Sequence, residues 1–168
     1  MSSRSAGPIL KTLVFIIFVP GTVLLWVPYL LLRREVPWPA SRMNWLALAP
    51  CGLGAAILLK CAWDFAVVGL GTPAPIDPPK SLVVSGLYRF VRNPMYVGVA
   101  LVLFSEALLF SSPRLLDYAL LVGTGFFLFV IAYEEPTLRK KFGASYQTYC
   151  RAVPRWIPRL TPWSPEKR

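Results

Sequence analysis

Arg89, Arg92, Asn93, Tyr88 and Tyr96 crowd into the stretch GLYRFVRNPMYVG, Gly86 to Gly98, just ahead of an apolar run. Arg92 stands four residues from both Tyr88 and Tyr96, so a helix through the stretch would align all three. A guanidinium held there can grip a carboxylate, and neighbouring phenols and amides can orient a polar ligand. A second cluster, Glu134-Glu135, closes another apolar run. Acids beside hydrocarbon are costly and normally have partners. Interfacial anchoring, with arginine snorkelling and tyrosine at headgroup depth, would explain the first cluster alone. It does not explain the acids, so the two clusters together point to a binding site.

Other residues narrow the chemistry. The chain has no histidine, the commonest general base and metal ligand. Cys51, Cys61 and Cys150 show no C-x-x-C spacing, so neither a metal site nor a structural disulfide is expected. Gly52-x-Gly54 lies in an apolar helix, without the strand context of a dinucleotide fingerprint. Lys60 and Glu106 each fall inside an apolar run, at depths that agree when counted from the run ends. They are expected to pair, with Asp64 as an alternative partner for Lys60. Glu106 is then either structural or a catalytic base near an acceptor.

The elements that must position these residues are membrane helices. Of the 168 residues 55% are hydrophobic and only 15% charged, with the apolar residues gathered into long runs. The expected architecture is an all-α, polytopic membrane bundle forming one domain over residues 1–168. Its helices cover about 9–32, 44–70, 94–111 and 115–133, each near the length of a crossing. The first run is too long for a signal peptide and lacks a cleavage site, so it is expected to be retained. Pro20-Gly21 and Pro28 predict a kink in it. Pro94 suits the first position of the third helix. In the tail, Leu138, Phe142, Tyr146 and Tyr149 recur at helical spacing, which predicts an amphipathic helix at the membrane surface.

The formal charge of +10 is concentrated beside the apolar runs, as positive-inside topology requires, so nucleic-acid binding is excluded. Four crossings place the N-terminus, loop 71–93 and tail 134–168 together, and their basic residues put that side in the cytoplasm. Topology thus brings Arg92 and Glu134-Glu135 to one face.

The motif GLYRFVRNPMYVG, followed by YEEPTLRKKFGASYQTYCRAVPRWIP, resembles the isoprenylcysteine carboxyl methyltransferase and phospholipid methyltransferase group. The shared pattern is R-H-P-x-Y-x-G, then E-E, then F-G-x-x-Y-x-x-Y and V-P-R. Asn93 stands where that group usually has histidine, and it cannot carry a proton as a base. The resemblance implies a membrane methyltransferase using S-adenosylmethionine. By position it implies cofactor contacts from Arg92, Asn93, Tyr96, Gly98, Glu134 and Glu135. Tyr88, spaced to align with Arg92, is a further expected contact, and the catalytic candidates are Arg92 and, from its depth in the apolar run rather than from the resemblance, Glu106. The partners implied are the bilayer and a lipid, prenylated or otherwise hydrophobic acceptor. Whether that acceptor offers a carboxylate, an amine or a thiol is left open, as is the oligomeric state. An NADPH-dependent membrane reductase and a non-catalytic membrane adaptor are the alternatives of other classes.

Overall fold

The computed structural model describes residues 18–33, 41–67, 82 and 84–164. The expected helix residues 9–17 and 68–70, and most of loop 71–93, lie outside the described residues. Helix α1 is Phe18–Leu32. Helix α2, Leu48–Val67, is entered through a 3-10 segment, Arg42–Ala47. Helix α3 is Pro94–Leu109 and α4 is Pro113–Phe129. A π turn, Val130–Glu134, carries α4 without a break into α5, Glu135–Ala152. No strand occurs among the described residues.

Two segments are long and apolar enough to cross a membrane, Arg42–Asp64 and Pro113–Ala152. The apolar helices α1 and α3 are shorter among the described residues. The expected all-α class is observed, with two helices of spanning length and two shorter apolar ones among the described residues. The segment Pro113–Ala152 is kinked at Gly143, where φ is 54°, and its part before that kink would already extend about 45 Å at 1.5 Å per residue, more than the roughly 30 Å of hydrocarbon. Its crossing part therefore ends near Tyr133, and α5 projects beyond it.

The sequence predicts that this helix stops at Glu134-Glu135-Pro136, but it continues. Proline lacks the N–H that an α-helix needs, and its ring crowds the preceding turn. The π turn absorbs both defects by shifting one bond, from the Glu135 N–H to the Val130 carbonyl. The same device occurs in α1, where the π turn Thr22–Trp26 ends two residues before Pro28 and the Val27 N–H bonds to Thr22 O. In both helices, proline changes the hydrogen-bond register instead of ending the helix.

Helix α3 packs between α2 and α4. Val99, Val102 and Leu103 form its buried side, against Leu24 of α1 and Ala119 of α4. Its far end is tied to the start of α2. Asn44 Nδ2 donates to Leu108 O at 2.9 Å and Leu109 O at 3.1 Å, satisfying carbonyls that a helix end leaves free. Ser112 then starts α4 as an N-cap, accepting from Leu115 N at 3.4 Å.

The α2–α3 approach depends on two glycines. A Cβ at Gly54 would lie 2.7 Å from Gly98 O, and one at Gly98 would lie 3.0 Å from Gly54 O. Small residues permit such contact between membrane helices. Gly54→Ala should therefore lower stability by about 1–3 kcal/mol, the usual range for overpacking. Gly52→Ala is the control, since a Cβ there meets nothing within 4 Å and should cause no loss. Thermal unfolding of both variants in one detergent checks this.

Candidate functional site

The motif stretch is built as a loop, with helix only at its end. Residues Gly86–Arg89 form a 3-10 turn, Val91 to Asn93 are irregular, and α3 begins at Pro94. The expected helical alignment of Tyr88, Arg92 and Tyr96 is therefore replaced by another device. The chain end folds back over the loop: Arg92 N donates to Pro154 O at 2.9 Å, Arg159 N to Phe90 O at 3.0 Å, and Trp163 N to Arg89 O at 2.9 Å. Side chains reinforce this strap, with Asn93 Nδ2 on Arg155 O at 3.1 Å and Tyr149 Oη donating to Tyr88 O at 2.7 Å.

Beneath the strap lies an ion triad. Arg155 Nε donates to Glu135 Oε1 at 2.7 Å and Nη2 to Oε2 at 2.9 Å, a bidentate pair. Arg92 Nη1 donates to the same Oε1 at 2.9 Å and to Cys150 Sγ at 2.8 Å. Glu135 is buried, and Arg92 is nearly so. Arg92 Nε is buried with no hydrogen-bond partner among the described residues. Two guanidiniums thus share one carboxylate, and one donor is left unused.

The adjacent Glu134 faces elsewhere. Its Oε2 accepts from Tyr96 Oη at 2.9 Å, and Tyr96 packs on Phe126 at 4.6 Å between ring centroids. The two acids are pushed in opposite directions. Burial lifts the Glu134 carboxyl above its ordinary value, outweighing the Tyr96 hydrogen bond that opposes it. Burial would lift Glu135 too, but the Arg155 hydrogen bond and the charges of Arg92, Arg155 and Arg139 hold it below the carboxylate range. Glu135 is the fixed anion of the pair, and Glu134 is the one nearer protonation.

Beside Tyr96, α3 and α4 enclose an apolar groove of about 360 Å³. Tyr96, Leu101, Phe104, Phe127 and Trp156 are among its walls.

The structure brings Arg92, Asn93, Tyr96, Glu134 and Glu135 together, with the Tyr88 carbonyl bonded to Tyr149 of α5 and its side chain beside Cys61 and within electrostatic reach of Glu134 and Tyr96. Gly98 is different: it is the close-approach point for Gly54 of α2, so its missing side chain serves helix packing. Glu106 stands about 18 Å along α3 from Pro94. The expected Lys60–Glu106 pair is not formed. Lys60 pairs with Asp64, and a Cβ at Gly86 of the motif loop would run into Asp64. Glu106 lies within electrostatic reach of Cys51 and Tyr118, and its Oε2 is buried with no partner among the described residues. The Gly54–Gly98 register explains the error. It puts Lys60 on the motif side and Glu106 on the other, about 20 Å apart along the bundle. Counting from the ends of apolar runs misplaces a residue when the run extends beyond the packed helix.

Arg155 and Trp156 were not singled out from the sequence, and Cys150 was weighed there only for a metal site or a disulfide. Arg155 had a signal, the Val153-Pro154-Arg155 segment of the shared pattern, but its role as the second cation on Glu135 depends on the strap.

Residues 43–145 match the phospholipid methyltransferase family. A methanethiol S-methyltransferase 2 of Bradyrhizobium diazoefficiens is 35% identical over 74 residues, 44% of this chain and 27% of that protein. A protein-S-isoprenylcysteine O-methyltransferase of Schizosaccharomyces pombe is 38% identical over 78 residues, 46% and 33% respectively. A delta(14)-sterol reductase of Mus musculus is 34% identical over 97 residues, 56% and 23%. The matched regions thus span a third or less of the length of these relatives.

The triad sets a pH dependence. The folded Glu135 carboxyl titrates below its ordinary value, so its stabilisation is complete above the ordinary carboxylate range and is lost as pH falls through the folded value. Glu135→Gln should remove that acid limb from a plot of Tm against pH. Glu135→Ala should cost about 3 kcal/mol at neutral pH, the low end for a broken buried pair, because Arg155 keeps 31% of its side chain exposed.

Proposed function

Because this chain belongs to the phospholipid methyltransferase family, we propose that it is an S-adenosylmethionine-dependent methyltransferase acting on a hydrophobic or lipid-borne acceptor. The observation that carries the reading is the buried triad, in which two guanidiniums share Glu135 and Arg92 Nε has no partner among the described residues. Such a site is short of one anion. The cofactor's carboxylate fits that deficit, and its amino group and ribose hydroxyls suit a carboxylate such as Glu134.

When bound, S-adenosylmethionine supplies a methyl group on a sulfonium. Arg92 and Arg155 hold a carboxylate, Asn93 and the strap fix the loop that carries Arg92, and Tyr96 orients Glu134. The apolar groove beside Tyr96 receives the acceptor and keeps out water. In-line displacement needs alignment in a dry site more than it needs a proton carrier. Where the acceptor must lose a proton, Glu134 stands nearest, and Glu106 is remote from this machinery. The same reading puts four crossings in the bilayer and the strap on its cytoplasmic side, by the positive-inside rule.

The sterol reductase match favours one second reading, a reductase that binds NADPH at the same loop. Calorimetry on the purified chain separates the two. S-adenosylmethionine should bind and NADPH should not. Arg92→Ala should weaken binding about ten- to a hundredfold, as expected for a hydrogen bond to a charged group worth about 1.5–3 kcal/mol. Its helix content should be unchanged. NADPH binding alone would favour the reductase, and binding of neither would defeat the cofactor assignment.

A further inference from the structure

The apolar stripe of α5 was expected to lie on the membrane, yet the protein itself covers it. Tyr146 and Tyr149 are buried, and Leu138 and Phe142 pack with them around Leu82, Val84 and Trp163. The large apolar side chains left exposed beyond α5 belong to the strap: Ile157 is 79% exposed and Leu160 is 99% exposed.

The position of this loop is fixed by Trp156, whose ring stacks on Phe127 at 6.2 Å between centroids. Phe127 lies seven residues before Glu134, so the Trp156 ring reaches about 10 Å along the apolar helix, while the strap backbone stays level with the motif loop that it bonds. Pro154, Pro158 and Pro162 carry no N–H, and the Arg159 and Trp163 N–H groups are bonded to the motif loop. Charge completes the surface. From Pro136 to Ser164 the chain carries Arg139, Lys140, Lys141, Arg151, Arg155 and Arg159, and no acid. The four on α5 are exposed.

We propose that the Trp156–Leu160 loop is a wedge seated in the bilayer leaflet on the motif side, where the surrounding cations recognise anionic lipid headgroups. Ile157 and Leu160 enter the acyl boundary while the basic side chains of α5 meet phosphates and carboxylates. Arg155 immediately precedes the wedge, so the leaflet also steadies the residue that grips Glu135. The proposal rests on α4 crossing the bilayer and is independent of the reaction catalysed.

Spin labels test it on the full chain in vesicles. Leu160→Cys reports the wedge, Leu121→Cys reports α4, and Lys140→Cys reports the basic face. Identically treated wild type supplies the background of the native thiols. In phosphatidylcholine vesicles containing phosphatidylserine, labels at 160 and 121 should be relaxed by oxygen and shielded from a water-soluble nickel chelate. The label at 140 should show the reverse. Removing phosphatidylserine, or adding salt, should shift the label at 160 towards water and leave that at 121 unchanged. A water-exposed label at 160 overturns the wedge, and a depth indifferent to lipid charge overturns the headgroup recognition. A water-exposed label at 121 overturns the crossing on which the proposal stands.

Discussion

One buried carboxylate holds two distant parts of the chain together. Glu135 sits where the crossing helix becomes α5, and its oxygens take hydrogen bonds from Arg92 in the motif loop and Arg155 in the strap. A charge buried so deeply is tolerated only when paired and fully hydrogen-bonded. The fold meets that demand from two directions, and so the loop, α5 and the strap converge on one point. The backbone bonds between strap and loop, Arg92 N to Pro154 O among them, then follow the same path.

That convergence needs the crossing helix to arrive at Glu135 unbroken. Pro136 lies next to the acid and would normally stop a helix. The π turn lets the chain pass it, so Glu134 and Glu135 stand on one continuous helix and face different surroundings. Glu134 turns to Tyr96 at the groove and Glu135 to the arginines. On the other side, the Gly54–Gly98 contact sets how close α3 lies to α2, and hence where Pro94 and the motif loop begin. Local backbone choices thus fix which polar groups meet.

Much of this was legible in the sequence. Apolar runs gave the helices to within a few residues at Pro94 and Pro113, because hydrocarbon-length segments and helix-starting prolines leave strong local signals. The meeting of Arg92 with Glu135 was legible through topology and the shared motif. What was not legible depended on tertiary register. Lys60 and Glu106 looked level because run length was taken for helix position. The tyrosine stripe of α5 looked lipid-facing because periodicity reveals an apolar face without naming what covers it. The packing role of Gly98 was not legible either, because a close approach is the same requirement whether a cofactor or a neighbouring helix makes it.

Amide hydrogen exchange of the full chain in detergent, comparing wild type with Glu135→Gln, tests most directly whether Glu135 governs the assembly. The amides to follow are those of Arg92, Arg159 and Trp163, which hold the strap to the loop. If the carboxylate is the organising contact, all three should lose protection together in the variant, while the amides of α3 keep theirs. Unchanged protection at the three amides would contradict the account, because the strap would then be held by its apolar packing around Tyr149 and Trp163 alone.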